Sequence, residues 1–284
     1  FDETAVPEFP LTWYEGGAYP GHTSFKYPKV GENNSLVSVH LYNAQTDAMV
    51  GEIMGLEVDD YVPRINFSPD NKLVISRLNR RQDTLELLVA MPGRILHDEE
   101  EHKSYIPTRL LLQETDPAYV ELEWENKMTF LKNDPQHFLW VNERSGFQHI
   151  WRFPMYANGD EAPVPLTKGN FEVTAFYGVN EATGKFYYQA ATPTPLDRQI
   201  WEGDLKGGEA RLLTPPKGTH EANFSPSFEY MQHRWSDANT PPVVAICDNH
   251  DDTLRVITKN ERVRKSCEEY GFAQKTFFTF KLAD

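Results

Sequence analysis

The residues with the most evident potential for chemistry form an acidic run flanked by two histidines, His97–His102. Imidazoles and carboxylates are both metal ligands, so the run is a candidate cation site. Consecutive residues of a loop point in different directions, however, and acidic runs are usually solvated. The solvated loop is therefore the favoured interpretation, and the sequence predicts no metal site.

Local signatures of catalysis are missing from the sequence. There is no G-x-S-x-G motif, so the exposed nucleophilic serine of an α/β-hydrolase is absent. There is also no H-E-x-x-H motif and no phosphate-binding glycine-rich loop. The nine histidines do not by themselves identify a Ser-His-Asp triad. We predict that this chain has no catalytic centre of its own and uses no cofactor.

The densest basic cluster consists of Arg77, Arg80 and Arg81. Guanidinium groups recognise carboxylates through paired hydrogen bonds, which makes the cluster a candidate recognition site. Solvation in a loop, or ion pairing between neighbouring sheets, is the favoured explanation.

Three N-x-S sequences, at Asn33, Asn66 and Asn223, are acceptors for glycans in a eukaryotic secretory setting. Asn66 and Asn223 lie in a repeated N-F-S-P segment. Turn chemistry explains asparagine and serine in that segment without any sugar.

The formal net charge is −14 and the pI is near 5.1. This charge repels nucleic-acid phosphates and anionic lipid headgroups, so neither is an expected partner. No apolar run approaches the roughly 20 residues that span a bilayer. Cys247 and Cys267 have no zinc-type spacing, and the sequence leaves open whether they pair in a disulfide.

The elements that must position any site are β-strands. Short alternating or aromatic-rich runs are separated by Asn, Asp, Gly and Pro, and helical periodicity is nearly absent, which indicates an all-β chain. A leading hairpin joins Ser35–Tyr42 to Ala48–Met54. A repeated unit then begins at four places: Ile65–Ser76, Met128–Asp134, Ala175–Asn180 and Ala222–Pro226.

Each copy reads as strand, tight turn, apolar strand, polar loop and outer strand. This order is typical of a propeller blade, in which four-stranded sheets pack around an axis. Counting the leading hairpin, we predict a β-propeller portion with about five four-stranded blades over residues 1–274. The alternative is a β-sandwich with irregular hairpins, which would not place the same turn at the same point of each unit.

Five segments resemble the dipeptidyl peptidase IV family in the family's own order and across nearly the whole chain. They are Y-P-K-V-G-E-N-N at Tyr27–Asn34, L-N-R-R-Q at Leu78–Gln82, N-E-R-S-G-F-Q-H-I at Asn142–Ile150, L-T-K-G-N-F-E-V at Leu166–Val173, and L-R-V-I at Leu254–Ile257 followed by Asn260. The L-N-R-R-Q motif is most similar to the corresponding sequence of the bacterial members.

The resemblance implies an eight-bladed propeller joined to an α/β-hydrolase domain with a Ser, Asp, His triad. Such enzymes release X-Pro or X-Ala dipeptides from peptide amino termini in the periplasm or outside the cell. Residues 275–284 are then expected to begin the linker or first strand toward the hydrolase domain. The family's double-glutamate helix is expected shortly before Phe1, and its substrate-orienting arginine further upstream.

One segment within the chain, Tyr119–Trp124, resembles the propeller loop that reaches toward the substrate in this family. It lacks the aligned Arg-Phe-Arg of the animal enzymes. The resemblance makes Trp124, and secondarily Glu121 and Tyr119, candidate residues of the substrate cleft. Packing of Tyr119 and Trp124 in the core or rim of a blade is the alternative.

Two functional hypotheses follow. The first is the non-catalytic propeller portion of a dipeptidyl peptidase, which gates access and helps to bind peptides with Pro or Ala at the second position. The second is a stand-alone propeller that serves as a protein-binding scaffold. An incomplete ring exposes terminal sheets, so a homodimer is a further partner prediction.

Overall fold

The computed structural model describes residues 1–122, 127–155 and 161–282. The chain divides into two compact units, Phe1–Leu122 and Glu123–Asp284. The described residues form five four-stranded sheets, one two-stranded sheet and a single α-helix. The predicted all-β partial propeller with about five four-stranded blades is thereby confirmed.

The first unit contains ten strands: β1 (Glu8–Trp13), β2 (Gly21–Lys26), β3 (His40–Asn43), β4 (Ala48–Ile53), β5 (Tyr61–Phe67), β6 (Leu73–Leu78), β7 (Thr84–Ala90), β8 (Leu96–Asp98), β9 (Lys103–Ile106) and β10 (Thr108–Thr115). Strands β1 and β2 form a separate hairpin, and β5, β6, β7 and β10 form an antiparallel sheet in that order. The predicted strand over Ser35–Tyr42 begins only at His40, so its first half is wrong.

The leading hairpin of β3 and β4 is completed by strands that come later in the chain. The β8–β9 hairpin, inserted between β7 and β10, adds to β4 through a parallel β4–β9 pair. A glycine on β4 permits this approach, because a Cβ at Gly51 would lie 2.8 Å from the Ser104 carbonyl oxygen. Two of the four strands in this sheet, β8 and β9, therefore come from the segment that follows β7.

The described residues of the second unit form twelve strands: β11 (Met128–Phe130), β12 (His137–Asn142), β13 (His149–Pro154), β14 (Val164–Pro165), β15 (Val173–Asn180), β16 (Lys185–Ala190), β17 (Gln199–Asp204), β18 (Arg211–Leu212), β19 (Thr219–Phe224), β20 (Tyr230–Ser236), β21 (Val243–Asp248) and β22 (Thr253–Thr258). They form three four-stranded sheets, each an antiparallel meander of consecutive strands.

The middle sheet of this unit is buried on both faces. On β16, Phe186 and Tyr188 pack in one apolar cluster with Leu139 and Ile150 of the preceding sheet. Tyr187, which lies between them in sequence and points to the other face, packs in a second cluster that includes Met231 of the following sheet. Three sheets in succession cannot be a two-layer sandwich, so the sandwich alternative is wrong for this unit.

The chain contains a helix that was not predicted from the sequence, α1 (Glu261–Glu269). It follows Asn260 and buries none of its residues, so it lacks the apolar stripe by which helices are recognised in a sequence. Beyond it, Lys275 is tied to Asn239 by hydrogen bonds of 2.8 and 3.0 Å, but residues 272–282 form no strand. The described part of the expected linker or first strand, residues 275–282, is thus not a strand, and the domain boundary near residue 275 stays a prediction.

We expect Gly203→Ala to destabilise the second unit by about 1–3 kcal/mol, the usual cost of overpacking a core. Gly203 pairs with Phe186 across β16 and β17, and an added Cβ would overlap the fully buried Phe186 ring. Urea denaturation followed by tryptophan fluorescence measures the change. Gly93→Ala is the matched control, because a Cβ there meets nothing within 4 Å. Equal stability of the two variants would contradict the packing described.

Candidate functional site

The predicted cleft segment directly follows β10 and is anchored by a buried valine. Val120 is 9% exposed, and its N–H donates to the Gln82 carbonyl at 2.8 Å. A second backbone bond, from Asp116 N–H to the Asp83 carbonyl, is 3.0 Å long. The segment is therefore held against the turn between β6 and β7.

That turn is built by an asparagine. The Asn79 side-chain oxygen accepts hydrogen bonds from the backbone N–H groups of Asp83 at 3.1 Å and Thr84 at 3.2 Å. The Asn79 amide also donates to the Asp83 carboxylate, and this hydrogen bond lowers the pKa of Asp83. Gln82 adopts a left-handed conformation with φ of 60°. The L-N-R-R-Q motif and the described part of the predicted cleft segment, residues 119–122, thus meet at one end of one sheet.

Two of the three candidate cleft residues lie within the described structure. Tyr119 is 57% exposed, and its hydroxyl lies 3.5 Å from the Glu121 carboxylate. Glu121 is half-buried. Trp124 lies outside the described residues. At this exposure Tyr119 is not a core residue, while rim packing and a cleft role both stay predictions. Its phenol and the neighbouring carboxylate can accept hydrogen bonds from N–H donors.

The three arginines of the basic cluster have acidic neighbours. Arg77 pairs with Glu86, lies 3.7 Å from Asp60 and donates to the Gly55 carbonyl. Arg80 pairs with Asp59 at 3.4 Å and Arg81 with Asp83 at 2.9 Å. Ion pairing is therefore observed, but within one sheet and its adjoining loops rather than between neighbouring sheets.

The acidic run His97–His102 forms the turn between β8 and β9. Asp98 accepts hydrogen bonds from the N–H groups of Glu100 and Glu101, both at 2.9 Å. The side chain of His97 contacts Ser104 at 3.0 Å. Five of the six residues in the run are exposed, and only Asp98 is half-buried.

The serines of the repeated N-F-S-P segment organise their turns. Ser68 is buried and its hydroxyl donates to Asp70 at 2.5 Å while accepting from Lys72 N–H at 2.9 Å. Ser225 likewise accepts from the Tyr230 N–H at 3.2 Å. Turn chemistry accounts for these two serines, as predicted.

A buried polar cluster in the second unit was not predicted from the sequence. We call it the His-Cys-Asp cluster, and its members are His220 on β19, His233 on β20, Cys247 on β21 and Asp251 in the turn before β22. His220, His233 and Cys247 are 1%, 5% and 0% exposed. Neither cysteine of the chain is in a disulfide.

Three short distances connect this cluster. His220 Nε2 lies 2.8 Å from the Lys217 carbonyl oxygen, and His220 Nδ1 lies 2.9 Å from His233 Nε2. His233 Nδ1 in turn lies 2.8 Å from Asp251 Oδ1. That oxygen is buried, yet it accepts no hydrogen bond from the part of the chain that the structure describes.

Burial governs the protonation of the cluster. It lowers the pKa of His220, because the charged imidazolium loses solvation. Burial also raises the pKa of the Cys247 thiol to about 11, and the negative charge of Asp251 adds to the increase. Both groups are consequently uncharged at neutral pH.

The turn before β22 aims Asp251 at His233. Asp248 accepts hydrogen bonds from the N–H groups of His250 at 2.9 Å and Asp252 at 3.0 Å, which tightens the loop. Asp251 has a φ of 67°, a left-handed conformation that aspartate tolerates better than most residues. The sequence signals for the cluster are His220 and His233, which occupy inward positions in the alternation of β19 and β20, where apolar residues are expected.

Successive antiparallel four-stranded sheets, with the middle sheet of the second unit buried on both faces, define the chain as part of a β-propeller. A family model described as the dipeptidyl peptidase IV (DPP IV) N-terminal region matches residues 1–242. The chain belongs to this family.

The chain is similar to several proteins that are named as dipeptidyl peptidases or dipeptidyl-aminopeptidases. A probable dipeptidyl-aminopeptidase B of Fusarium vanettenii is 28% identical over 91% of this chain. A probable dipeptidyl peptidase 4 of Neosartorya fischeri is 24% identical over 99% of this chain. The crystal structure of Porphyromonas gingivalis dipeptidyl peptidase 4 superimposes with a TM-score of 0.74 and 33% identity over 92% of this chain.

The chain spans only part of each of these proteins. It covers 30% of the Fusarium protein, 37% of the Neosartorya protein and 35% of the Porphyromonas chain. No helix among the described residues is long and apolar enough to cross a membrane.

Arg77→Ala is expected to reduce the free energy of unfolding of the first unit by about 1–3 kcal/mol, the cost of leaving partly buried carboxylates without their charged partner. The Asp60 and Glu86 side chains are 11% and 12% exposed, so water replaces the guanidinium poorly. Chemical denaturation measures the loss.

Arg81→Ala is the matched control, because the Arg81 side chain is 82% exposed. An exposed pair of this kind changes stability by less than about 0.5–1 kcal/mol. A loss for Arg81→Ala as large as that for Arg77→Ala would contradict the structural role assigned to Arg77.

Proposed function

We propose that this chain is the non-catalytic propeller portion of a serine-type dipeptidyl peptidase that releases X-Pro and X-Ala dipeptides from peptide amino termini. The propeller gates access to the active site and helps to bind the peptide, while a separate α/β-hydrolase domain supplies the nucleophile. The observation that carries the proposal is the family match over residues 1–242, together with relatives that are named as dipeptidyl peptidases. The intact propeller has eight blades in this proposal.

The anchored segment after β10 supports a role in substrate binding. Val120 is fixed by the β6–β7 turn, so Tyr119 and Glu121 are presented from a defined backbone rather than from a free loop. A fixed carboxylate beside a phenol suits the N–H groups of an extended peptide. In the proposal, Glu121 and Tyr119 contact the peptide, and Trp124 lines the distal part of the same cleft.

Exposed aromatic residues near residue 280 support a neighbouring domain. Phe277, Phe278 and Phe280 are 70%, 82% and 74% exposed. A run of apolar side chains this exposed is typical of a surface that another domain or protein covers. We assign this surface to the hydrolase domain.

The cellular setting follows from the same proposal. A peptidase that acts on peptide amino termini is placed in the periplasm or outside the cell, and a homodimer is its expected assembly. Exposed apolar residues of β22, among them Leu254 and Ile257 at 57% and 51%, provide a surface for association.

The 284-residue chain alone is expected to show no hydrolysis of a Gly-Pro chromogenic substrate, because the sequence has no G-x-S-x-G nucleophile. The longer protein encoded by the complete reading frame is expected to hydrolyse it. The measurement is release of the chromophore by both proteins at equal concentration. Turnover by highly purified 284-residue chain would contradict the proposal, as would a complete reading frame without a hydrolase domain.

In the longer protein, Glu121→Gln is expected to raise KM about tenfold with kcat nearly unchanged. A hydrogen bond to a charged group contributes about 1.5 kcal/mol, and its loss from both ground and transition states affects KM alone. Steady-state kinetics on peptides of increasing length measure the effect, with Trp124→Ala expected to raise KM only for the longer peptides.

Tyr270→Ala is the control for these substitutions, since Tyr270 lies beside α1, far from the segment in sequence, and is 81% exposed. The control is expected to leave KM unchanged. If Glu121→Gln and Trp124→Ala leave KM unchanged for peptides of every length, the segment has no role in the cleft.

A further inference from the structure

We propose that His233, Cys247 and Asp251 form a binding site for one divalent metal ion of the zinc class. One ligand atom from each residue lies within 4.8 Å of the other two. Imidazole nitrogen, thiolate sulfur and carboxylate oxygen together are a donor set that zinc accepts. The site is independent of the proposed peptidase function.

Hydrogen-bond contacts determine which nitrogen of His233 can bind the ion. The Lys217 carbonyl can only accept a hydrogen bond, so the 2.8 Å contact assigns a proton to His220 Nε2. In the neutral ring, His220 Nδ1 is then an acceptor, and the 2.9 Å contact assigns a proton to His233 Nε2. With Nε2 engaged by His220, Nδ1 is the nitrogen of His233 that remains to bind a metal ion.

His233 Nδ1 faces the carboxylate of Asp251, which is itself a hydrogen-bond acceptor. His233 Nδ1 and Asp251 Oδ1 are 2.8 Å apart, and the oxygen accepts no hydrogen bond from the described residues. Two acceptors at this distance repel each other unless a positive charge lies between or beside them. The Cys247 sulfur completes the triangle, and a metal ion bound by all three atoms satisfies them together.

The three ligand atoms, which lie within 4.8 Å of one another, have to adjust to the spacing that such an ion requires. Zinc lies about 2.0 Å from nitrogen and oxygen and about 2.3 Å from sulfur, so its tetrahedral ligands are about 3.3–3.5 Å apart. The nitrogen–oxygen pair at 2.8 Å needs to open by about half an ångström to reach that spacing. The thiol proton passes to solvent when the sulfur binds.

An access route and an open position are present. A cavity of ≈ 450 Å³ is lined by His220, His233 and Asp251, together with Trp235 and Thr253. Three protein ligands leave the fourth position to water or a small anion in this cavity. His220 acts as a positioning residue, because its contact fixes which nitrogen of His233 is free to bind.

The site would join two paired strands to the turn that follows them. His233 lies on β20 and Cys247 on β21, whereas Asp251 lies in the turn that leads to β22. Bound metal would tie this turn to the centre of the sheet. Metal binding is therefore expected to raise the unfolding temperature of the chain as well as to change its spectrum.

The experiment uses the 284-residue chain, stripped with a chelator and titrated with Co²⁺ and Zn²⁺. We expect one Co²⁺ per chain with a sulfur-to-cobalt charge-transfer band, displacement of Co²⁺ by Zn²⁺, and a rise in unfolding temperature. Cys247→Ser is expected to abolish the band. Asp251→Asn is expected to weaken binding at least about tenfold, and His220→Asn to weaken it by about 10- to 100-fold while keeping the band.

Cys267→Ser is the matched control, because it removes the other free thiol, which lies on α1. It is expected to retain the band and the affinity, so the wild-type and Cys267→Ser spectra identify the thiol even if Cys247→Ser does not fold.

Three results would overturn the proposal. They are no cobalt binding at micromolar concentration, loss of the band in Cys267→Ser, and a nuclear magnetic resonance signature of His233 as a doubly protonated imidazolium that metal does not displace. The last result would mean that a proton, not a metal ion, lies between His233 and Asp251.

Discussion

The middle sheet of the second unit packs against a neighbouring sheet on each of its two faces. Phe186 and Tyr188 on β16 pack toward the sheet before, and Tyr187 packs toward the sheet after. Each strand residue thus has an apolar partner whichever face it occupies. The requirement explains why Phe-Tyr-Tyr at 186–188 is a continuous apolar run rather than an alternating one. It also explains why a glycine is needed at position 203, where the Phe186 ring covers the opposite strand.

The same arrangement leaves the turns between strands free to carry polar chemistry. Asn79 builds one such turn with its side-chain oxygen, and Asp248 builds another in the same way. The first turn anchors Val120 and so presents Tyr119 and Glu121. The second directs Asp251 toward His233. In both places a local hydrogen-bond network converts a flexible loop into a fixed support for a carboxylate.

Polar groups within the packed sheets are the exception, and the His-Cys-Asp cluster is the clearest example. A histidine in a core position has to place two ring nitrogens, and each needs a partner when water is excluded. The chain from Lys217 through His220 and His233 meets this requirement up to His233 Nδ1. His233 Nδ1 then faces the Asp251 carboxylate oxygen, and the proposed cation would bind both atoms.

The sequence by itself determined the all-β class, the repeated blade unit and the family. Strand alternation and turn residues are local, so segments such as Ile65–Ser76 and Ala222–Pro226 reveal their structure within a few residues. Only the tertiary structure decided which strands pair. The β8–β9 hairpin joins the sheet of β4, and residues far apart in sequence, such as His220 and Asp251, come together in one cluster. Alternation states which face a residue occupies but not which residue lies opposite, because that depends on register and on packing between sheets.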